Sequence, residues 1–160
     1  HRTDGRGCPK CSKSGTSKCE QIIYYYIQKV FPDAINRYRN EYEFDIYIPS
    51  QNTAVEYDGF FFHKSKKVFE RDNKKDAFCQ SNGIKLIRFR SPRLKDTLSA
   101  QRITCEDYEI EKGILELFLL LNIPCPKIDL SNDMIKIINN FRATAKQKSI
   151  VASYPDVAKK

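Results

Sequence analysis

Two short segments, 43–48 and 54–59, carry acidic residues at the spacing of β-strands. Because side chains alternate along a strand, Asp45 is predicted on the face opposite its apolar neighbours, and Glu56 and Asp58 on one shared face of the next strand. Pairing of the two strands would bring the three carboxylates together.

A cluster of carboxylates could hold a divalent cation. Like charges held close together raise one another's pKa, so such a cluster is costly unless a cation sits in it. Hard oxygen ligands suit Mg²⁺ or Mn²⁺, and such an ion activates water and offsets charge on a phosphodiester. Asp45, Glu56 and Asp58 are therefore predicted metal ligands. The alternative is that they are only the solvent-facing positions of an amphipathic hairpin.

Further residues could assist at this site. A sharp chain exit at Gly59, followed by three phenylalanines expected in the core, would direct His63 back towards the carboxylates. His63 could then act in acid–base chemistry or contact phosphate, or it could be a histidine at the core edge. Lys75, Arg88 and Arg90 are candidates for contact with backbone phosphate, and a solvated helix face is the alternative for Lys75.

The elements that would position these residues follow from periodicity and capping signals. Ser17 and Glu20 form a capping box before an apolar helical pattern, which predicts a helix over 17–31. A strand, a helix and a strand in succession imply a right-handed crossover into a parallel neighbour. The other predicted elements are a strand around 35–39, an antiparallel hairpin of strands 44–48 and 53–57, a helix over 65–81, a strand at 84–89, a helix marked by 110–121 and another behind Ser131.

Composition narrows the class of protein. The 160 residues suit one compact domain with short appendages, and a hydrophobic content of 41% excludes wholesale disorder. No apolar run approaches the roughly 20 residues that cross a bilayer, and the first residues lack a signal-peptide pattern, so we expect a soluble, cytoplasmic protein with no membrane partner. The net charge of +8 favours a polyanionic partner such as nucleic acid.

Read in order, the chain contains Ser17-x-x-Glu20, Glu43-Phe44-Asp45-Ile46-Tyr47-Ile48-Pro49, Val55-Glu56-Tyr57-Asp58-Gly59 with His63, and Asn82-Gly83-Ile84-Lys85-Leu86-Ile87-Arg88. This ordered set resembles the PD-(D/E)xK nuclease superfamily, and most of all the branch related to the very-short-patch repair endonucleases, over roughly residues 17–92.

The resemblance implies an α/β fold with a restriction-endonuclease-like core, in which a central mixed β-sheet is flanked by helices. The C-terminal helices predicted from periodicity would follow this core. The resemblance also implies a Mg²⁺ (or Mn²⁺) ion at the central hairpin. Asp45 and Glu56 match the metal-binding acids, Glu20 matches an acid on the first helix, and His63 matches a histidine after the glycine turn. Glu20 could also be only a member of the capping box.

One position departs from the superfamily pattern. The usual lysine two residues after the second acid is replaced by Asp58. Within this branch an Asp there is familiar, and His63 or a migrated lysine such as Lys75 could take the lysine's role. The other interpretation is a catalytically inactive domain.

The two ends of the chain resemble pieces of zinc ribbons. Cys8 and Cys11 have the spacing of half a zinc site, which needs two further ligands, and Cys19 lies in the capping box, where its geometry is unfavourable. Zn²⁺ would therefore bind there only with ligands outside this chain. The predicted organisation is a zinc-ribbon remnant at 1–15, a nuclease-like domain at 16–146, and the start of a following repeat or a tail at 147–160.

We therefore predict a Mg²⁺-dependent endonuclease domain that hydrolyses DNA phosphodiester bonds. The alternative is an inactive DNA-binding module that links zinc ribbons, and an RNA-directed nuclease is disfavoured only by family analogy. The sequence leaves the oligomeric state open, a homodimer included. The predicted catalytic residues are Glu20, Asp45, Glu56, Asp58 and His63.

Overall fold

The computed structural model describes residues 17–140. Within this part, residues up to 128 belong to one compact unit and residues from 129 onward to a second. The second unit is helical over 130–140 (α5), and Asp129 Oδ1 accepts a hydrogen bond from the backbone N–H of Asn132 at 3.3 Å. The helix therefore begins before Ser131, the residue predicted to precede it.

The helices of the first unit are α1 (Lys18–Val30), the short α2 (Phe60–His63), α3 (Lys66–Ser81) and α4 (Ile110–Leu121). The predicted bounds of α1, α3 and α4 are confirmed to within one residue, whereas α2 was not predicted. Ser17 caps α1 by accepting a hydrogen bond from the N–H of Glu20 at 3.1 Å. After α3 the chain passes through Gly83, whose φ of +67° is a left-handed conformation that suits glycine. None of the helices within 17–140 is long and apolar enough to cross a membrane.

A five-stranded mixed sheet forms the centre of the first unit. Its strands are β1 (Ile35–Arg39), β2 (Glu43–Ile48), β3 (Thr53–Asp58), β4 (Lys85–Arg90) and β5 (Gln101–Thr104), and they lie side by side in that order. β1, β2 and β3 pair antiparallel, whereas β3, β4 and β5 pair parallel. The predicted hairpin and parallel crossover are confirmed, and β5 was missed because only Ile103 of its four residues is apolar.

Both faces of the sheet are covered by helices. On one face, α3 supplies Cys79 to a cluster with Phe44, Ala54 and Leu86. On the other, α1 contacts β3, and α4 contacts β5. Gly113 permits the close approach of α4, because a Cβ atom there would lie 2.9 Å from the ring of Phe89. The fold is therefore α/β, with a mixed five-stranded sheet between helices.

The alternation of side chains along β2 breaks at Asp45. Phe44 packs with Ala54 in the α3-side cluster, whereas Ile46 pairs with Val55, whose side chain lies on the opposite face from Ala54. Phe44 and Ile46 therefore lie on opposite faces, and the prediction that Asp45 lies opposite both of them is wrong. A strict period of two cannot describe a strand that changes face midway.

β1 changes face at the same level. The pairs Asn36–Ile46 and Tyr38–Phe44 flank Arg37, which places Arg37 opposite Asp45. Arg37 has a φ of +57°, a left-handed conformation that costs a non-glycine residue about 1–3 kcal/mol. The backbone strain thus lies directly beside a predicted metal ligand.

Candidate active site

β2 and β3 separate where the predicted metal ligands begin. Their regular pairing ends at Ile46 and Val55. Beyond that pair, the backbone N–H of Asp45 donates to Glu56 Oε2 at 2.6 Å, and the N–H of Tyr57 donates to Asp45 Oδ2 at 2.8 Å. Two carboxylates thus replace the backbone ladder at the point where the strands open.

The third member of this acidic cluster is Glu20, which is buried on α1. The side-chain amide of Asn36 joins it to β2, since Nδ2 donates to Glu20 Oε2 and to the backbone oxygen of Asp45, each at 2.9 Å. We define the acidic cluster as Glu20, Asp45 and Glu56. Glu20 can belong to both the helix cap and the site. Its backbone N–H donates to the capping Ser17, and its side chain accepts from Asn36 in the cluster.

Lys75 brings a positive charge from α3 to the acidic cluster. Its ammonium contacts Glu56 Oε1 and donates to the backbone oxygen of Glu43 at 2.7 Å. Only 13% of its side chain is exposed, so the prediction of a solvated helix face is wrong for Lys75, and its ammonium is engaged with protein rather than displayed to phosphate.

The pKa of Asp45 is raised well above its usual range. Burial is the largest cause, followed by repulsion from Glu56 and from Glu20, while Lys75 acts in the opposite direction and does not offset them. Burial and the neighbouring carboxylates therefore disfavour the ionised form of Asp45.

Asp58 lies in a different set of contacts, which we call the buried ion network. Arg88 Nη1 donates to Asp58 Oδ2 at 3.0 Å, Arg90 Nη1 donates to the same oxygen at 2.6 Å, and Arg88 Nε donates to Asp76 Oδ1 at 2.9 Å. The prediction that Asp58 joins Asp45 and Glu56 as a third metal ligand is not supported, because two guanidinium groups already occupy its carboxylate. The network consists of Asp58, His63, Asp72, Asp76, Arg88 and Arg90.

Arg88 and Arg90 are each only 1% exposed. Burial alone would lower the pKa of Arg88, but Asp58 and the neighbouring carboxylates more than offset that effect and raise it. Both arginines are thus held by internal carboxylates and backbone oxygens, while the buried Arg90 Nη2 has no hydrogen-bond partner among the described residues. The prediction that they contact backbone phosphate is wrong.

His63 returns towards this end of the sheet, as the glycine turn predicted. Its Nδ1 lies 2.8 Å from Asp72 Oδ2, and its Nε2 lies 3.5 Å from Asp58 Oδ1. Within 17–140, these three residues are the group whose metal-ligating atoms all lie within 4.8 Å of one another. Burial raises the pKa of Asp72, but His63, Arg88 and Arg90 outweigh it, and the pKa is lowered. Arg88 and Arg90 already lie against these carboxylates, so a metal at this group would compete with their guanidinium nitrogens.

The residues around the buried ion network differ from the sequence prediction at the phenylalanines and on α3. Phe61 and Phe62 are 58% and 60% exposed, so the prediction that the phenylalanines lie in the core is wrong for both. Asp72 and Asp76 were not predicted as site residues. Lys75 and Asp76 follow Asp72 on α3 by three and four residues, a spacing that would have signalled one polar helix face.

In the part of the chain that the structure describes, Cys19 and Cys79 are buried, and their thiols have raised pKa values. Burial is the main cause that raises the pKa of Cys19 to about 12 and that of Cys79 to about 11. Neither thiol is activated as a metal ligand. Cys8 and Cys11, with the predicted end segments 1–15 and 147–160, lie outside the described residues.

The structure thus defines an α/β protein with an acidic cluster at the opening between two central strands and a buried ion network beside it. Comparison of the chain with protein-family models, with curated proteins and with solved structures finds no significant match.

Proposed function

We propose that this chain contains a metal-dependent endonuclease domain, with a restriction-endonuclease-like core, that hydrolyses DNA phosphodiester bonds. The observation that carries the proposal is the convergence of Asp45, Glu56 and Lys75 where β2 and β3 separate, with Glu20 behind them. A pair of carboxylates beside an ammonium is suited to hold a hard cation and to orient water next to it.

The donor set fits Mg²⁺ or Mn²⁺. Asp45 and Glu56 offer carboxylate oxygens, which such ions prefer, and a bound cation would reduce the cost of ionising Asp45, whose pKa is raised first by burial and then by repulsion from Glu56 and Glu20. These two residues would hold the ion directly, and Glu20 would complete the set. When bound, the ion lowers the pKa of a coordinated water and offsets negative charge on the phosphate.

The protein's own groups would divide the remaining tasks. Lys75 holds Glu56 in place and can orient the attacking water beside it. His63, whose two ring nitrogens lie near Asp72 and Asp58, would assist at the water or the leaving oxygen. The carboxylate of Asp58 contacts His63 and Arg88. We therefore assign Asp58 the role of positioning these two side chains.

The surface beside His63 supports a nucleic-acid partner. Exposed Phe61 and Phe62 lie on α2, Lys64 Nζ lies 5.2 Å from the ring centre of Phe61, and Arg93 Cζ lies 4.1 Å from that of Phe60. Exposed aromatic rings next to cations provide stacking and charge for bases and backbone together. The net charge of +8 acts in the same direction.

The double variant Phe61→Ala with Phe62→Ala is expected to weaken DNA binding without unfolding the protein, since both rings are exposed. Stacking of a base on an aromatic ring contributes roughly 1–3 kcal/mol, so we expect the dissociation constant to rise about 5-fold to 100-fold. Fluorescence anisotropy with labelled DNA measures this. Leu119→Ala, at an aliphatic residue that is 78% exposed on α4, is the control and should bind as the wild type does. Equal affinity of the double variant would remove these rings from the DNA surface.

Cleavage of supercoiled plasmid tests the proposed function. We expect nicking or linearisation in Mg²⁺ or Mn²⁺, none in EDTA, and a loss of about 100-fold or more in Asp45→Asn and Glu56→Gln. Asp96→Asn removes an exposed carboxylate, whose side chain is 79% accessible, and should cleave normally.

Two results would contradict the proposal. Cleavage that persists in both site variants would place the chemistry elsewhere. No cleavage with either metal, together with retained salt-sensitive DNA binding, would favour the catalytically inactive DNA-binding module.

A further inference from the structure

Asn36 connects three elements at the acidic cluster. Its Oδ1 accepts a hydrogen bond from Gln21 Nε2 on α1 at 2.9 Å, while its Nδ2 donates to Glu20 on α1 and to the backbone oxygen of Asp45 on β2. Because these three bonds use both ends of the amide, they fix its rotation as well as its position.

The conformation of Arg37 directs the amide to this position. Asn36 contacts α1 on one face of the sheet, whereas Tyr38, two residues later, packs against the cluster on the α3 face. The left-handed Arg37 between them produces this change of face. On the neighbouring strand β2, the backbone oxygen of Asp45 accepts a hydrogen bond from the Asn36 amide.

We infer that Asn36 is a positioning residue for metal binding, which sets where Glu20 and the backbone of Asp45 lie relative to Glu56. The inference rests on the proposed function, since it names a residue that organises the same site. No sequence motif marked Asn36, which became apparent only from its contacts across β1, β2 and α1.

The expected consequence is selective for the metal ion. Mg²⁺ requires near-ideal octahedral geometry at short distances, whereas Ca²⁺ accepts irregular coordination. Loss of the Asn36 amide leaves the carboxylates present but frees Glu20 and the Asp45 peptide to move. Mg²⁺ affinity should therefore fall more than Ca²⁺ affinity, an effect that a general loss of stability would not produce.

Calorimetric titration of the full chain with Mg²⁺ and with Ca²⁺ tests the inference. Removal of a group that orients metal ligands typically costs 10-fold to 100-fold in affinity or activity, so Asn36→Ala should weaken Mg²⁺ binding by about that factor and Ca²⁺ binding by less. At saturating Mg²⁺, kcat for plasmid cleavage should fall while KM for DNA stays near the wild-type value.

Two variants complete the design. Asn36→Asp keeps the size and the acceptor for Gln21 but cannot donate when ionised, so it should also lose kcat, which decides the question if Asn36→Ala fails to fold. Asn122→Ala serves as a stability control, because Asn122 has a φ of +56° at the end of α4, where alanine is strained. Its Mg²⁺ affinity should remain that of the wild type.

The outcomes separate this inference from the proposed function. A wild-type protein that binds Mg²⁺ and cleaves DNA, with both Asn36 variants equal to it, would overturn the positioning role alone. A wild-type protein that neither binds Mg²⁺ nor cleaves would overturn the proposed function and this inference with it. If Asn36→Ala loses Mg²⁺ affinity and Ca²⁺ affinity equally, and Asn122→Ala shows the same losses, Asn36 has only a structural role.

Discussion

Asp45→Asn is expected to make the metal-free protein more stable while it removes the response to Mg²⁺. Ionised Asp45 is held near Glu56 and Glu20 in a partly buried position, and its raised pKa reflects that unfavourable environment. Asparagine has no charge to repel, and its side-chain oxygen can still accept the N–H of Tyr57. We expect a gain of about 1 kcal/mol in the free energy of unfolding.

The pH dependence has a definite sign. Because the pKa of Asp45 is higher in the folded state than in the unfolded state, the folded protein binds more protons, and the stability contributed by this group falls as pH rises between the two values. Asn cannot titrate, so its advantage over the wild type should be larger at pH 8 than at pH 4.

Urea unfolding in EDTA and in Mg²⁺ measures both effects. The wild type should gain stability in Mg²⁺ because the ion binds only the folded state, and the variant should not. Asp96→Asn removes an exposed carboxylate that pairs with Arg102, so it should not be more stable than the wild type in EDTA and should keep the full gain in Mg²⁺. A less stable variant in EDTA would contradict the charge cost at Asp45, and an undiminished Mg²⁺ effect would contradict its role as a metal ligand.

Arg88→Met is expected to destabilise the protein by about 3–5 kcal/mol, the usual cost of removing one partner from a buried ion pair. Arg88 contacts both Asp58 and Asp76, all three side chains are at most 1% exposed, and the change leaves two buried carboxylates with less positive charge. Methionine fills much of the same volume, so the loss is chiefly electrostatic.

Thermal and urea unfolding check this expectation against two further variants. Arg39→Met removes an arginine that is 74% exposed and paired with Glu43 at 3.6 Å, so it should cost no more than about 1 kcal/mol. Adding Asp76→Asn to Arg88→Met should recover part of the lost stability, because it removes one uncompensated charge. If the double variant is less stable than Arg88→Met alone, uncompensated charge is not the main cause of the lost stability.

Local signals in the sequence were sufficient for most of the helices and strands. Ser17 marks the start of α1, and Asn82 with Gly83 marks the end of α3, because capping depends on residues within one turn of the helix. The hairpin of β2 and β3 followed from alternation over a few residues. β5 escaped prediction because its place in the sheet depends on pairing with β4 rather than on its own composition.

The division of the acidic residues between two sites could not be predicted locally. β4 lies parallel to β3 in a register that sets Arg88 beside Glu56 and Arg90 beside Asp58. α3, which packs on these strands, adds Asp72 and Asp76 as partners of the two arginines. A strand register is fixed by long-range pairing and packing, which a local sequence pattern does not reveal. The sequence therefore suggested that the arginines contact DNA, whereas in the fold they bind internal carboxylates.

By itself, the sequence determined the α/β class, the capping and stop signals, and the presence of acids at the central hairpin, because periodicity and capping act over a few neighbouring residues. Only the tertiary structure decided that Asp45 and Glu56 stand with Lys75, that Asp58 belongs with Arg88, and that Asn36 reaches the cluster. Each of those contacts joins residues far apart in the chain, and each depends on strand register or on the left-handed turn at Arg37, neither of which a local pattern encodes.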